Sequence, residues 1–158
     1  MTKARWKHKG RSDSGGFFKL PHAVMDSPSY GSLSGSAVKL LNDLGRQYRG
    51  HNNGDLSAAW KVLRGRGWKS RDTLARALSE LLELGLIEKT RQGGLHLCSL
   101  YALTWYAIDE CDGKLDVPAT RVASGLWKQP KRCDENMSAS TESVSTRPGI
   151  RVYGSKAA

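Results

Sequence analysis

The stretch Ser70 to Ile87, SRDTLARALSELLELGLI, constrains the chain most, because it spells one helix with both of its ends marked. Leu74, Ala77, Leu78, Leu81 and Leu84 recur at the spacing of a single helical face, and Asp72, Arg76, Ser79 and Glu83 fall opposite them. Ser70 is an N-cap residue, able to accept a hydrogen bond from an otherwise unsatisfied amide of the first turn. Gly85 stands where a left-handed C-terminal residue belongs, and Leu86 can fold back onto the last turn.

Charge along this helix runs against its dipole. Lys69, Arg71 and Arg76 crowd its start, whereas Glu80, Glu83 and Glu88 lie toward or past its end. Helix stability alone prefers the reverse, by about 0.3 to 1 kcal/mol per charge. An anionic ligand at the N-terminal end supplies a reason for this placement, and nucleic-acid phosphate is such a ligand. Asp72 is the one acid in the first turn that follows the dipole.

The charge of the whole chain is focused in the same way. Net charge is +10 over 158 residues. Residues 1–20 carry six basic side chains against Asp13, and residues 57–76 carry six against Asp72, so these two patches account for all of the excess. Two basic patches on a neutral body suit a polyanionic partner, because each neutralised phosphate releases counterions.

Upstream, residues 1–16 are basic, contain Gly and Ser and lack hydrophobic periodicity, which predicts a flexible arm. Phe17, Phe18, Leu20, Val24 and Met25 make a short apolar stretch expected to dock on the domain, with Pro21 and Pro28 breaking it. Ser34 is a candidate cap for a helix in which Ala37, Leu41, Leu44 and Tyr48 share the inner face and Lys39, Asn42, Asp43 and Arg46 the outer one. GHNNG, residues 50–54, ends that helix. Asp55 and Leu56 are expected in a very short strand, and Ser57 caps a short helix from about Ala58 to Arg64 that buries Ala59 and Leu63. After Gly85 the period changes to two. Leu86 to Arg91 reads as a strand, Gln92-Gly93-Gly94 as a tight turn, and Leu95 to Trp105 as a longer returning strand. Leu95, Leu97, Tyr101, Leu103 and Trp105 share one face of it.

Helix, helix, turn, helix and a hairpin is the layout of a winged helix-turn-helix, an α+β and mainly α fold of three helices and a two- or three-stranded wing. The chain resembles the winged-helix branch of helix-turn-helix proteins over roughly Ser34 to Trp105. More narrowly, LPHAVMDSPSY, GRGWKSRDTLARALSELLELGLIEKTRQGG and SLYALTWYAIDEC, with KLDVPATR beyond them, are similar to a group of bacterial proteins carried by phages, plasmids and other mobile elements. The resemblance implies sequence-dependent binding of duplex DNA, by a transcriptional regulator or a replication accessory protein. The helix from Ser70 would lie in the major groove and the wing on the flanking backbone.

Roles follow by position. Arg71 and Arg76 are long forks able to pair with guanine, and Thr73 can touch a thymine methyl, so these three are the expected base contacts. Arg64, Arg66, Lys69 and Ser70 lie in and before the turn and are expected on phosphates. Lys89, Arg91 and Gln92 would reach the adjacent backbone or minor groove from the wing. Trp60, Trp68, Tyr101 and Trp105 could stack on bases, but core or rim packing is the expected role: Trp105 ends the wing strand on its apolar face, Trp68 can cover the interface between two helices, and the side on which Trp60 lies is left open.

Other chemistries find little footing. The four histidines, His8, His22, His51 and His96, pair with no nucleophile or carboxylate in a recognisable motif, and no phosphate-binding or dinucleotide fingerprint occurs, so neither an enzyme nor a cofactor is expected. His96 and Cys98 with Cys111 supply at best one close ligand pair where zinc sites have two. Three cysteines argue for a reducing compartment and a cytoplasmic protein. No apolar run approaches membrane-spanning length. Ile108 to Thr120 reads as an extended connector and Arg121 to Trp127 as a brief turn or helix. This predicts one domain over 17–128, with its core at 34–105, and a Ser/Thr-rich disordered tail over 129–158 that is open to a protein partner. A homodimer is also open, since no heptad or dimer helix is legible. The alternative function is a winged helix that binds and inhibits a host nucleic-acid machine.

Overall fold

Two prolines stand near the start of the described residues, and both start helices. The computed structural model describes residues 16–129, so the predicted arm and tail, apart from Gly16 and Gln129, lie outside it. Pro21 is the N-cap of α1 (His22–Met25) and Pro28 the first residue of α2 (Pro28–Gly31). The expectation that they break structure is corrected for a simple reason. A first-turn residue has no intrahelical use for its N–H, and the proline φ already suits a helix. Val24 is buried, and Phe18 and Leu20 pack on the core, but Phe17 and Met25 remain exposed.

Ser34 caps α3 (Gly35–Gly45), accepting from the Ala37 amide at 3.2 Å. Ala37, Leu40, Leu41 and Leu44 are buried along its inner face. The helix ends short of Tyr48, whose ring stacks on Tyr106 with centroids 4.7 Å apart. β1 (Leu56–Ser57) follows, then α4 (Trp60–Arg64), which buries Leu63. Ala59 is the N-cap of α4, two residues later than the expected Ser57, and is half-buried where burial was expected.

α5 (Arg71–Glu83) starts at a Ser70 cap, whose hydroxyl accepts from Thr73 N at 3.3 Å, and it buries Leu74, Ala77 and Leu81 against α3. It closes as its sequence dictates. Gly85 adopts φ +69°, and Leu86 N donates to Leu81 O at 3.0 Å, so the chain reverses directly into the sheet. A β-carbon on Gly85 would stand 2.7 Å from the Leu126 carbonyl oxygen. Gly85→Ala therefore adds left-handed strain to a backbone clash, and is expected to lower stability by about 2 to 3 kcal/mol, read as a shift in the urea midpoint.

β2 (Ile87–Arg91) and β3 (Leu100–Leu103) complete a three-stranded antiparallel sheet in the order β1-β3-β2, so the described residues form a small α+β fold of five α-helices and one sheet. Tyr101 and Leu103 join the helical core, and Leu100 and Ala102 on the opposite face are buried as well.

The returning strand is much shorter than the alternation of Leu95 to Trp105 predicts. His96 takes φ +67°, and Gly94 and Leu97 exchange backbone hydrogen bonds of 3.0 and 3.2 Å, which folds residues 94–97 into a separate tight turn. Leu95 and Leu97 consequently share no face with Tyr101; they are 88% and 60% exposed.

The connector after β3 is more structured than an extended crossing. Asn53, fully buried, donates to the carbonyls of Leu103, Tyr106 and Ala107 and accepts from Leu103 N, and Asp109 accepts from Asn53 N. Short 3-10 turns occupy Cys111–Gly113 and Leu126–Lys128. Ser29 Oγ donates to Trp127 O at 2.8 Å, which pins the last turn to α2.

Candidate nucleic-acid interface

α5 shows solvent a face made of Arg71, Asp72, Ala75, Arg76, Ser79 and Glu83. At about 100° per residue, Arg71 and Arg76 lie roughly 140° apart and form its two margins. Ala75 and Ser79 lie between them on the Arg71 side, small enough to let a flat partner approach the helix, and the acids Asp72 and Glu83 lie between them on the Arg76 side. The sequence reading places Ser79 on this face but not Ala75, and assigns neither a contact, although both follow Arg71 at the four-residue spacing of one face. Thr73 is half-buried and turned away from the centre of this face.

Neither arginine folds back onto a carboxylate. The ion pairs among the described residues are Lys39–Asp43, Arg66–Asp43 and Lys114–Asp55. The Arg71 guanidinium instead lies over the Trp60 ring, 5.6 Å from its centroid, and Arg76 Nε makes a long contact of 3.4 Å to the Asp72 carbonyl. Trp60, unassigned from sequence, thus packs partly on the core and lies under the exposed Arg71 cation. Lys61, Arg64 and Lys69 are exposed beside these groups without a carboxylate partner among the described residues.

Asp72 and Glu83 stay on the exposed face of α5, whereas Glu80 and, beyond the helix in β2, Glu88 are used within the fold. Glu80 accepts from the Ser34 amide at 2.5 Å and the Ser34 hydroxyl at 2.7 Å, which places its charge at the positive end of α3. Glu88 accepts from Ser124 Oγ at 2.7 Å. Part of the inverted charge order read from the sequence is therefore tertiary capping, while the basic end of α5 stays free of such a use.

Asp43 is a correction. Expected on the outer face of α3, it is only 5% exposed, because the turn between α4 and α5 closes over it. Its carboxylate accepts from Lys39 Nζ at 2.8 Å, Arg66 Nε at 2.6 Å and the buried Trp68 indole at 2.7 Å. Burial pushes its pKa up, but the bonds from Lys39, Trp68 and Arg66 outweigh this and hold the carboxyl below its ordinary value. Lys39 Nζ also donates to Arg66 O at 3.0 Å and lies 4.9 Å from the Trp68 ring centre. Of the residues expected on phosphate, Arg66 thus has its charge matched within the fold and Ser70 gives its hydroxyl to the α5 cap, whereas Arg64 and Lys69 have no carboxylate partner among the described residues.

At the hairpin the division is similar. Lys89 is exposed and bonds only to Gln92 Oε1, at 2.9 Å. Arg91 spans the base of the tip, donating to Cys98 O at 3.1 Å and Lys114 O at 3.2 Å. Strand pairing sets where this tip points. β1 runs antiparallel to β3 with Ser57 opposite Leu100, so it leaves the sheet at the tip end, and Trp60 opens α4 three residues later. Because Arg71 stacks on Trp60, the first turn of α5 and the hairpin tip lie toward the same end of the molecule.

The His96–Cys98 pair sits on the tip, and among the described residues no three His, Cys, Asp or Glu side chains gather as metal ligands. No described helix is long and apolar enough to cross a membrane. Comparison with family models, curated proteins and solved structures finds no match to the chain.

Proposed function

We propose that the chain is a winged helix-turn-helix protein that binds duplex DNA, with α5 as the recognition helix and the β2–β3 hairpin as the wing. The observation that carries this reading is the group of cations without carboxylate partners at the amino-terminal end of α5: Arg64, Lys69, Arg71 and Arg76. Sheet order β1-β3-β2, with α4 and α5 between β1 and β2, supports the winged-helix assignment. Arg71 and Arg76 at the margins of the exposed face are the base contacts, and Arg64, Lys69, the Ser70 amide and Lys89 hold phosphates. The resemblance to proteins of mobile elements makes a cytoplasmic transcriptional regulator or replication accessory protein the corresponding biological role.

Binding to a random-sequence duplex across a salt series tests this. With four to six phosphates neutralised, affinity is expected to fall about 100- to 1000-fold between about 50 and 200 mM salt. A flat response, or no binding at the lowest salt, would leave the protein-interaction alternative standing in its place.

A further inference from the structure

Resting on the DNA-binding reading, we propose that the hairpin tip is an apolar wedge, with Leu95 and Leu97 entering the minor groove and lodging between base pairs. The two leucines are among the most exposed large apolar side chains described, 88% and 60% accessible, yet the segment bearing them is braced. Gly94 and Leu97 are bonded to each other, Gly93 N donates to Ser99 Oγ at 3.0 Å, and Gln92 N donates to Asp116 Oδ2 at 2.7 Å. A β-carbon on Gly93 would meet Ser99 N at 2.6 Å, so this closure requires glycine. Arg91 ties the base of the tip to Cys98 and Lys114 from across the hairpin. The result is a stiff point that keeps apolar surface in water.

Three features select the occupant. The leucines offer at most a few hundred Å² of apolar area, far below the roughly 800 Å² per partner of a stable protein interface. That small area matches the single base step that leucine wedges of minor-groove proteins open. Lys89 is exposed beside the tip, and the tip shares its end of the molecule with Arg71, so a duplex held at α5 has its backbone within the same region. Arg91, expected on the adjacent backbone or in the minor groove, serves to hold the wedge.

Insertion between base pairs unwinds DNA, and relaxation of a closed-circular plasmid by topoisomerase in the presence of the full chain reads it directly. The wild-type protein is expected to leave a protein-dependent linking difference. Leu95→Ala/Leu97→Ala, with both changes at exposed positions, is expected to keep the wild-type melting temperature and salt slope. It should abolish the linking difference and lower affinity for random duplex roughly 10- to 100-fold. Leu97→Met, which keeps the apolar volume, should retain the difference. If wild type binds with the expected salt slope but without unwinding, or if the double variant unwinds equally, the wedge is wrong and the DNA-binding reading survives. If wild type binds no duplex, both fall. A free protein that sediments as a dimer, and as a monomer once both leucines are alanine, would assign the tip to a second copy of the chain and overturn the proposal.

Discussion

Asp43→Ala is expected to lower stability by about 2 to 4 kcal/mol, at the lower end of what breaking a buried ion pair costs because Lys39 and Arg66 are themselves half in water. The variant removes three hydrogen bonds at once and leaves the Trp68 indole N–H without its acceptor in the core. In thermal melts this corresponds to a drop of roughly 10 °C or more for a domain of this size. Asp43→Asn separates shape from charge, since the amide can still accept from one donor. The native pH dependence carries the same signature. A carboxyl held below its ordinary pKa in the fold stabilises it fully above the unfolded value, near pH 4, and that contribution is lost as pH falls through the lower folded value. Acid unfolding monitored by Trp fluorescence should therefore lose part of its steepness in Asp43→Asn. A melt within about 1 kcal/mol of wild type for Asp43→Ala would show that the carboxylate does not hold the turn.

That turn shows where reading the sequence stops being sufficient. α5 was legible from end to end because its cap, apolar period and C-terminal glycine are all local and all agree. The strand after it was legible for the same reason. Asp43 was not, since a helical wheel assigns an acid to water unless its partners are known, and here they come from residues 66 and 68 on another element. Residues 95–98 failed in the opposite direction. Their alternation of apolar and polar residues matches a strand, but the close approach at Gly93 and the left-handed backbone of His96 make an extra turn that the pattern does not encode. In the interface, Arg71 and Arg76 could be placed on the outer face by period alone. That Arg66 and Arg91 are spent on internal contacts could not, because a cation's partner is a property of the fold and not of the local sequence.

Under the DNA-binding reading, Arg71→Ala/Arg76→Ala carries the largest expected effect on binding. A bidentate arginine contact to guanine discriminates by about 1 to 3 kcal/mol, so loss of two such contacts on well-separated margins of the helix should weaken specific binding by about 100-fold or more. Both side chains are exposed and outside the ion pairs described, so the melting temperature should stay close to that of wild type. The informative readout is the set of sites each protein selects from a random DNA pool. Arg71→Ala and Arg76→Ala should each relax preference at different positions of the site. Arg64→Ala and Lys69→Ala should leave the preferred sequence intact, and each should reduce the salt slope by about 1. Arg71→Lys adds a further distinction, because lysine keeps the charge but loses the planar fork and fits the Trp60 face less well. It should retain binding to random duplex while losing most of the preference. If the double variant selects the same sites as wild type with unchanged affinity, the exposed margins of α5 do not read bases, and sequence preference must come from another part of the chain.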